Sequence, residues 1–514
     1  MTRYKANFFY ITWYEPDSLA ICFLLDKLKK TCDINSFRLD KYDFLARNTT
    51  FRDSSLSNQK LAANDLPYSH ISCLLDLFFS FFYSTYWFTF ILIKFSHTPT
   101  TKFFQWVHEL RIHNILIGDC VLNTYLRGDS VGRLSKSIKF LPSTFFFLWR
   151  YFFNLRKIKY SHALAADVTY FWIAETTYIE EAIRRYLLSY GAREIRFNEL
   201  TKTYDVLEPL QGYELRTRNF LRSNYNPSDV SISKAVDWIK AISTRADTYW
   251  YLQTSDTNPI IDIEPPKRRD KTAVVFLHAI SDAQFIFGVD CFIDLHQWLI
   301  ETLRILRSKG YYILVKIHPF YYNEIAHYPS NDNYLNYLCE LYSFDKDDLK
   351  KLKIIEVDDD ISFVSHDVSV QVLKNACGDY VAISHHGTAV LEAAYLGLPA
   401  VVSAKSRYNA CEDLFVHIYE SIEEYDSILS RDLFIDDIES KVARLNSLLK
   451  FIAFHYIDIT DDRIDQYFAN QLSVEPYVEG FFELISELLC NINEDEYSSL
   501  KANFPYAFNS PYSL

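Results

Sequence analysis

The chain has 514 residues, 49% of them hydrophobic, which excludes a disordered polypeptide and allows two domains with buried cores. A formal net charge of −13 excludes nonspecific nucleic-acid binding through a basic surface. Nine scattered cysteines with no C-x-x-C pair and no Cys/His cluster argue against a structural metal and fit a reducing compartment.

In chain order, "NFFYITW" is expected to be a strand and "PDSLAICFLLDKLKK" a helix with an acidic first turn and a basic last turn, so the chain opens with a β-α unit. The first residues lack the basic start, apolar region and cleavage site of a signal peptide, and a cytoplasmic protein is expected. Residues 71–93 are apolar over a length that could cross a bilayer, but carry Asp76, Ser72, Ser80, Ser84, Thr85 and Thr89. A buried or interfacial helix is the expectation there. Residues 131–160 hold seven basic residues and no acidic one around a Phe/Trp cluster, a reversal of the chain's overall charge. That combination suits an interfacial helix on an anionic leaflet, with Arg150, Arg156, Lys157 and Lys159 as membrane contacts; a core helix with a solvated rim is the alternative.

A second β-α-β unit follows in "ALAADVTYFWI", "ETTYIEEAIRRYLLSY" and "GAREIRF", with Gly191 at the helix C-cap. Residues 1–253 therefore form one doubly wound domain, interrupted by an aromatic and basic insertion at about 70–160. The Pro- and charge-rich segment 254–270 is the linker. The first domain's carboxylates that could serve as base or nucleophile are Glu15, Asp17, Asp119 and Glu175; Asp119 is favoured because Gly118 beside it marks a tight turn. Each competes with the ordinary role of an acid at a helix start.

From residue 271 the β-α rhythm resumes in "TAVVFLHAI", "FIDLHQWLIETLRILRSKG", "YYILVKIHP", "KIIEVDD" and "SVQVLKNA", giving a second doubly wound domain over 271–410 and a helical tail over 411–514, expected to pack back on the first domain. "YVAISHHGTAVLEAAYLGLPAVVSA", residues 380–404, is one strand–helix–strand unit, stopped by Gly397 and Pro399. The turn after its first strand lies at the carboxyl edge of the sheet, where an anion binds well. Three such strand ends carry polar groups an apolar core would not choose: His278, Ser281 and Asp282; Lys316 and His318; and Ser384, His385, His386, Gly387 and Thr388. All are expected on one rim. Gly387 allows close backbone approach to a phosphate, Thr388 can N-cap the helix, and imidazole or ammonium groups neutralise a leaving diphosphate. Glu392 is placed to reach a ribose, or to act as a solvated carboxylate.

The run "VVFLHAISDAQFIFG", "FIDLHQWLIETL", "YILVKIHP" and "AISHHGTAVLEAAYLGLPAVVSA" resembles the second half of bacterial capsule and surface-polysaccharide glycosyltransferases of the GT-B fold, over about residues 271–408. Weaker similarity covers 117–128 and 178–192. His-Pro after a strand, with a Ser/His-Gly-Thr helix start further on, also resembles Kdo-transferase, bacterial sialyltransferase and glycerophosphotransferase relatives. The resemblance implies two Rossmann-like domains facing a cleft. It implies that His318 and Pro319 contact the donor nucleotide, that His386, Gly387 and Thr388 cradle its phosphate, and that Glu392 lies near its ribose, with His318 also a catalytic candidate. The aromatics Phe320, Tyr321 and Tyr322 after His-Pro depart from the family pattern and leave the donor open. The implied function is transfer of a sugar from a nucleotide-activated donor, a cytidine nucleotide such as CMP-Kdo favoured, to a surface or capsular polysaccharide or its lipid-linked primer. A CDP-alditol phosphotransferase and a non-catalytic assembly subunit are the alternatives. No Asp-x-Asp motif of the metal-dependent transferases is recognised, so transfer without metal or cofactor is expected, by an enzyme peripheral to the inner face of the cytoplasmic membrane.

Overall fold

This computed structural model describes residues 5–11, 33–38, 70–127, 133–162, 168–173, 178–198, 203–207, 227–244, 271–280, 284, 285, 287, 290–321, 329–409, 411, 414–434 and 438–457. Lys5–Ile11 (β1) and Asp33–Arg38 (β2) open the chain in parallel. A helical layer follows: His70–His97 (α1), Thr100–His108 (α2), the two-stranded ribbon Arg111–Ile112 (β3) with Ile115–Leu116 (β4), Gly118–Arg127 (α3) and Phe140–His162 (α4). The chain then returns as Val168–Ile173 (β5), Tyr178–Ser189 (α5), Arg193–Asn198 (β6) and Thr203–Leu207 (β7). The first sheet has the order β2-β1-β5-β6-β7, parallel except for the terminal β6–β7 pair. Its winding reverses between β1 and β5, as in a doubly wound sheet.

The aromatic bias of the sequence is spent in the helical layer. Phe103, Phe104, Val107, Leu148, Tyr151 and Tyr186 lie at its centre, all buried. Gly118 is required here by close packing rather than by a turn: a Cβ on it would sit 1.7 Å from the carbonyl oxygen of Val107. The layer touches the second domain. The side chain of Asn123 accepts the Phe285 N–H at 3.2 Å, and the Asp294 carboxylate accepts the Leu134 N–H at 2.7 Å.

Asp229–Thr244 (α6) precedes the second domain, whose elements are Thr272–Phe276 (β8), Leu295–Ser308 (α7), Tyr312–Lys316 (β9), Pro329–Tyr342 (α8), Lys346–Leu352 (α9), Ile354–Glu356 (β10), Ile361–Val364 (β11), Val370–Cys377 (α10), Val381–Ile383 (β12), Ala389–Tyr395 (α11), Ala400–Ser403 (β13), His417–Tyr419 (β14), Ile422–Ser430 (α12) and Ile438–Ile452 (α13). Local chemistry sets the ends. Asp294 caps α7 by accepting the Gln297 N–H, Ser369 caps α10 by accepting the Val372 N–H, and Gly310 and Gly378 take φ of 73° and 78° just after helices. β8 and β9 are buried on both faces, which is why residues 273–276 and 312–315 are continuously apolar.

The sheet order is β10-β11-β9-β8-β12-β13-β14, parallel throughout except for β10 on β11. Counting only the parallel strands in chain order, this is the 3-2-1-4-5-6 arrangement of dinucleotide-binding folds, with its switch point between β8 and β12. The protein is thus α/β with two doubly wound sheets. Past residue 410 the chain is not a helical tail alone, because β14 completes the second sheet. Its described part, to residue 457, packs on α6: Leu448, Leu449, Phe451 and Ile452 join Ala235 and Ile239, which fall within the 1–253 stretch but sit in the core beneath the second sheet. Residues 458–514 lie outside the described ones.

Candidate active site

Register brings the rim together. Phe276 pairs with Lys316 and Lys316 with Val364, so His278, His318 and His366 each lie two residues beyond paired positions on three adjacent strands. Ile383 pairs with Val275, which puts Ser384, His385 and His386 on the same edge. The expected gathering of His278, Lys316, His318, Pro319 and the 384–388 turn is therefore present, at the switch point. Ser281 and Asp282 lie outside the described residues.

The turn is held from within. Ser384 Oγ accepts the Gly387 N–H at 3.1 Å and lies 3.0 Å from His278 Nε2, so the hydroxyl donates to that nitrogen. His278 Nε2 also accepts the His386 N–H at 3.3 Å, and the Tyr408 hydroxyl donates to the Gly387 carbonyl at 3.1 Å. His278 is in turn fixed by the Tyr321 hydroxyl, which donates to its carbonyl at 2.7 Å. These contacts bear on two expectations. The N–H groups of His386 and Gly387 have acceptors inside the turn, His278 Nε2 and Ser384 Oγ, which a phosphate would have to displace. Gly387 is needed because a Cβ would stand 2.7 Å from Ser384 Oγ and 3.0 Å from the His278 ring. Thr388 occupies the cap position of α11, yet its backbone is already helical and its side chain makes no capping bond.

Beyond the turn runs a chain of proton carriers. Asp290 Oδ2 lies 2.7 Å from His385 Nε2, and His385 Nδ1 lies 2.8 Å from His386 Nδ1. Asp290 is nearly buried, and burial alone would raise its pKa; the facing His385, with hydrogen bonds from the Phe292 N–H and the Ser403 hydroxyl, holds it below the usual carboxylate range. Burial, assisted by the cations and imidazoles around them, pushes His278 and His386 well below the ordinary imidazole value. His318 is lowered to about 3, by burial first and then by Lys316 and His366. All three rings are neutral at physiological pH.

Tautomers follow from the partners. His318 Nδ1 accepts the Phe320 N–H at 3.2 Å, leaving its proton on Nε2 as a donor. With His385 donating to an ionised Asp290, its Nδ1 accepts from His386, and His386 Nε2 becomes an acceptor. The half-buried His386 ring lies against His278, ring centres 4.1 Å apart, and against Phe287 at 5.5 Å, with Arg407 over the same Phe287 at 5.9 Å. Lys316 donates to the carbonyls of Ser365 and His366, at 3.4 and 2.9 Å, and so braces β9 against the end of β11.

Other expected residues stand apart. Asp119 is buried in a two-pronged pair with Arg185, at 2.8 and 2.7 Å, within the helical layer. That pairing occupies both its oxygens and gives it a structural role at this position. Glu15, Asp17 and Glu175 lie outside the described residues. Glu392 is half-buried one turn into α11, and its charge acts on Tyr380 at the amino end of β12, opposite the histidine rim. Asp-x-Asp triplets do occur, at Asp345–Asp347 and Asp358–Asp360. Both are turn-formers away from the rim: Asp345 accepts the Asp347 N–H, and Asp358 accepts those of Asp360 and Ile361 at the amino end of β11. Among the described residues no three His, Cys, Asp or Glu side chains are placed to hold a metal ion. Asp290, His366 and Arg407 were not signalled by the sequence, since a lone Asp, His or Arg in a loop looks solvated until the fold closes on it.

No protein-family model and no curated protein matches the chain. Among solved structures it is similar to the beta Kdo 2,4 transferase KpsC of Thermosulfurimonas dismutans, at 11% identity over 57% of this chain and 79% of that one, with a TM-score of 0.32. It is similar to HepE of Anabaena in complex with UDP-glucose, at 10% identity over 90% and 99%, TM-score 0.28. A third is the UDP-GlcNAc 2-epimerase of Methanocaldococcus jannaschii, at 10% identity over 87% and 99%, TM-score 0.25. Likenesses this distant carry no argument about activity, and the function is argued from the site.

Proposed function

We propose that the chain is a glycosyltransferase that binds a nucleotide-activated sugar at the histidine-lined switch point of the second sheet. The observation that carries this reading is the convergence of His278, His318, His385, His386 and Arg407 at that point, ending in the Asp290–His385–His386 chain. In an open α/β sheet the switch point is where nucleotides bind. Glycosyl transfer needs two things there: stabilisation of a departing phosphate, and removal of a proton from the acceptor hydroxyl. His318 Nε2–H and Arg407 serve the first. His386 Nε2, made an acceptor by the chain behind it, serves the second. His278 and Ser384 position the turn and touch no substrate in this scheme.

The finer reading rests on the family resemblance of residues 271–408: a cytidine nucleotide such as CMP-Kdo as donor, a surface or capsular glycan or its lipid-linked primer as acceptor, and no resident metal. Thermal unfolding with CMP-, CDP-, UDP- and GDP-linked compounds tests it. A ligand at 100 times its Kd adds about 2.7 kcal/mol of stability. A shift with one nucleotide family that is lost in His318→Gln supports the proposal. No shift with any of them overturns it. Metal-free transfer is tested in the same assay by EDTA; loss of turnover restored by magnesium or manganese defeats that part.

A further inference from the structure

We propose that the bare aromatic face of α1 seats the protein on an anionic membrane surface, with the helix lying in the headgroup plane. Of the sixteen exposed large hydrophobic side chains among the described residues, ten are on α1. Phe78, Phe82, Tyr86, Phe90 and Ile93 recur at three- and four-residue spacing, with Phe82 54% and Tyr86 71% exposed. From Leu75 to Ile93 this stripe is about 27 Å long. The helix was expected to be buried or interfacial. It is not buried as a whole: Asp76, Ser80, Ser84 and Ile91 are covered and Trp87, Phe88 and Phe95 partly so, along its inner side. A soluble protein seldom leaves so much contiguous aromatic surface to water without a partner.

Charge complementarity selects the partner. Segments 70–108 and 133–162 together hold nine lysines and arginines against one acid, Asp76, and Asp76 is paired with Arg156. The cations bracket the stripe. Lys94, Lys102 and Lys136 gather at its carboxyl end, where Lys136 donates to the Phe95 and Thr98 carbonyls, while Lys157 and Lys159 lie toward its amino end, beyond Arg156. An apolar aromatic face with basic ends is what binds an anionic leaflet in-plane.

The arrangement also relocates the contact expected from sequence. Arg150 is 3.6 Å from the buried Glu180, and Arg156 faces Asp76, so these two serve to fix α4. The side facing the lipid is α1. A transmembrane orientation is disfavoured because α1 and α4 pack along their length, through Phe81 and Phe88 on Phe145 and Tyr83 on Phe152. Crossing the bilayer would drag the α4 cations into hydrocarbon.

The test is co-sedimentation of the full chain with phosphatidylcholine vesicles, with and without phosphatidylglycerol. The parent should bind the anionic vesicles, less so in high salt, and Phe82→Glu with Tyr86→Glu should weaken binding roughly tenfold. Both positions are exposed, so the variant should keep the parent's thermal unfolding and any nucleotide-induced shift, and failure of the donor-site proposal would leave this one intact. The inference is overturned by a parent that ignores anionic vesicles, or by a variant that binds them as the parent does. Bound protein that only detergent can extract would show a spanning helix instead. A variant that merely dissociates a dimer, with no vesicle binding by the parent, would show that a second copy covers the face.

Discussion

The Asp290 carboxylate sits 2.7 Å from His385 Nε2, and through that one contact the second domain controls the hydrogen-bonding character of His386. Asp290→Asn keeps the shape and removes the charge. The amide can present its NH₂ group to His385, in which case His385 Nε2 becomes an acceptor and its proton moves to Nδ1, facing His386. Turnover should then fall at least tenfold, while nucleotide affinity measured by thermal shift changes little. Nitrogen-15 NMR of the imidazoles should report a changed His386 tautomer. An unaltered tautomer and unaltered turnover would reduce Asp290 to a structural acid.

Two glycines distinguish site geometry from backbone strain. At Gly387 an added Cβ meets Ser384 Oγ at 2.7 Å and the His278 ring at 3.0 Å; at Gly397 it meets nothing within 4 Å, but φ is +75°. Gly397→Ala should cost about 1–2 kcal/mol through the left-handed backbone alone. Gly387→Ala should cost about 1–3 kcal/mol by overpacking, and should also abolish nucleotide-induced stabilisation by displacing the turn. Denaturant titration with and without nucleotide separates the two. Equal nucleotide response in both variants would detach the turn from binding.

The three depressed histidines make stability depend on pH in a defined direction. His278, His318 and His386 stay neutral in the folded protein, while their unfolded counterparts bind a proton near the ordinary imidazole value of 6.5. Above that pH neither state is protonated and they contribute no pH dependence. Below it the unfolded chain binds more protons, so stability falls with pH, for His318 down to about 3. Each contributes a slope of at most about 1.4 kcal/mol per pH unit. His318→Gln should flatten the urea-derived stability profile between neutrality and pH 5 by a measurable part of that slope. A parent profile that is level through this range would mean the rings are solvated.

How much of this was legible in the sequence depends on the element. Strands β8, β9 and β12 were visible because burial on both faces gives them unbroken apolar runs, and their polar ends therefore stood out. Register then made one edge of His278, His318 and His385, as a parallel sheet must. What could not be seen was which polar atoms satisfy each other. The sequence offers a Gly-Thr helix start as a phosphate cradle, but His278 and Ser384 already accept from its first N–H groups. Asp290 arrives from a loop between β8 and α7, and nothing in its neighbours marks it. The insertion was legible in chemistry and not in geometry: basic residues in α4 were evident, whereas the bare face belongs to α1, since only packing decides which of two aromatic helices is outermost.

Asp119 was the favoured acceptor-side carboxylate, and its surroundings give a sharp test. Arg185 donates to both its oxygens, to the Leu116 carbonyl at 2.9 Å, and through Nε to Glu181 at 2.8 Å. Asp119→Ala leaves a largely buried guanidinium with one carboxylate partner in place of two. Removing one member of a buried pair costs about 3–5 kcal/mol, and the remaining Glu181 should hold this case near the lower end. Replacing Arg185 by Met in the same chain should recover part of that loss, because the orphaned charge goes with it. Activity per folded molecule should stay within about threefold of the parent in both variants, since the error on such a comparison is a few tenths of a kcal/mol. Turnover that drops a hundredfold in fully folded Asp119→Ala protein would restore the carboxylate to the reaction and displace His386 as the proton acceptor.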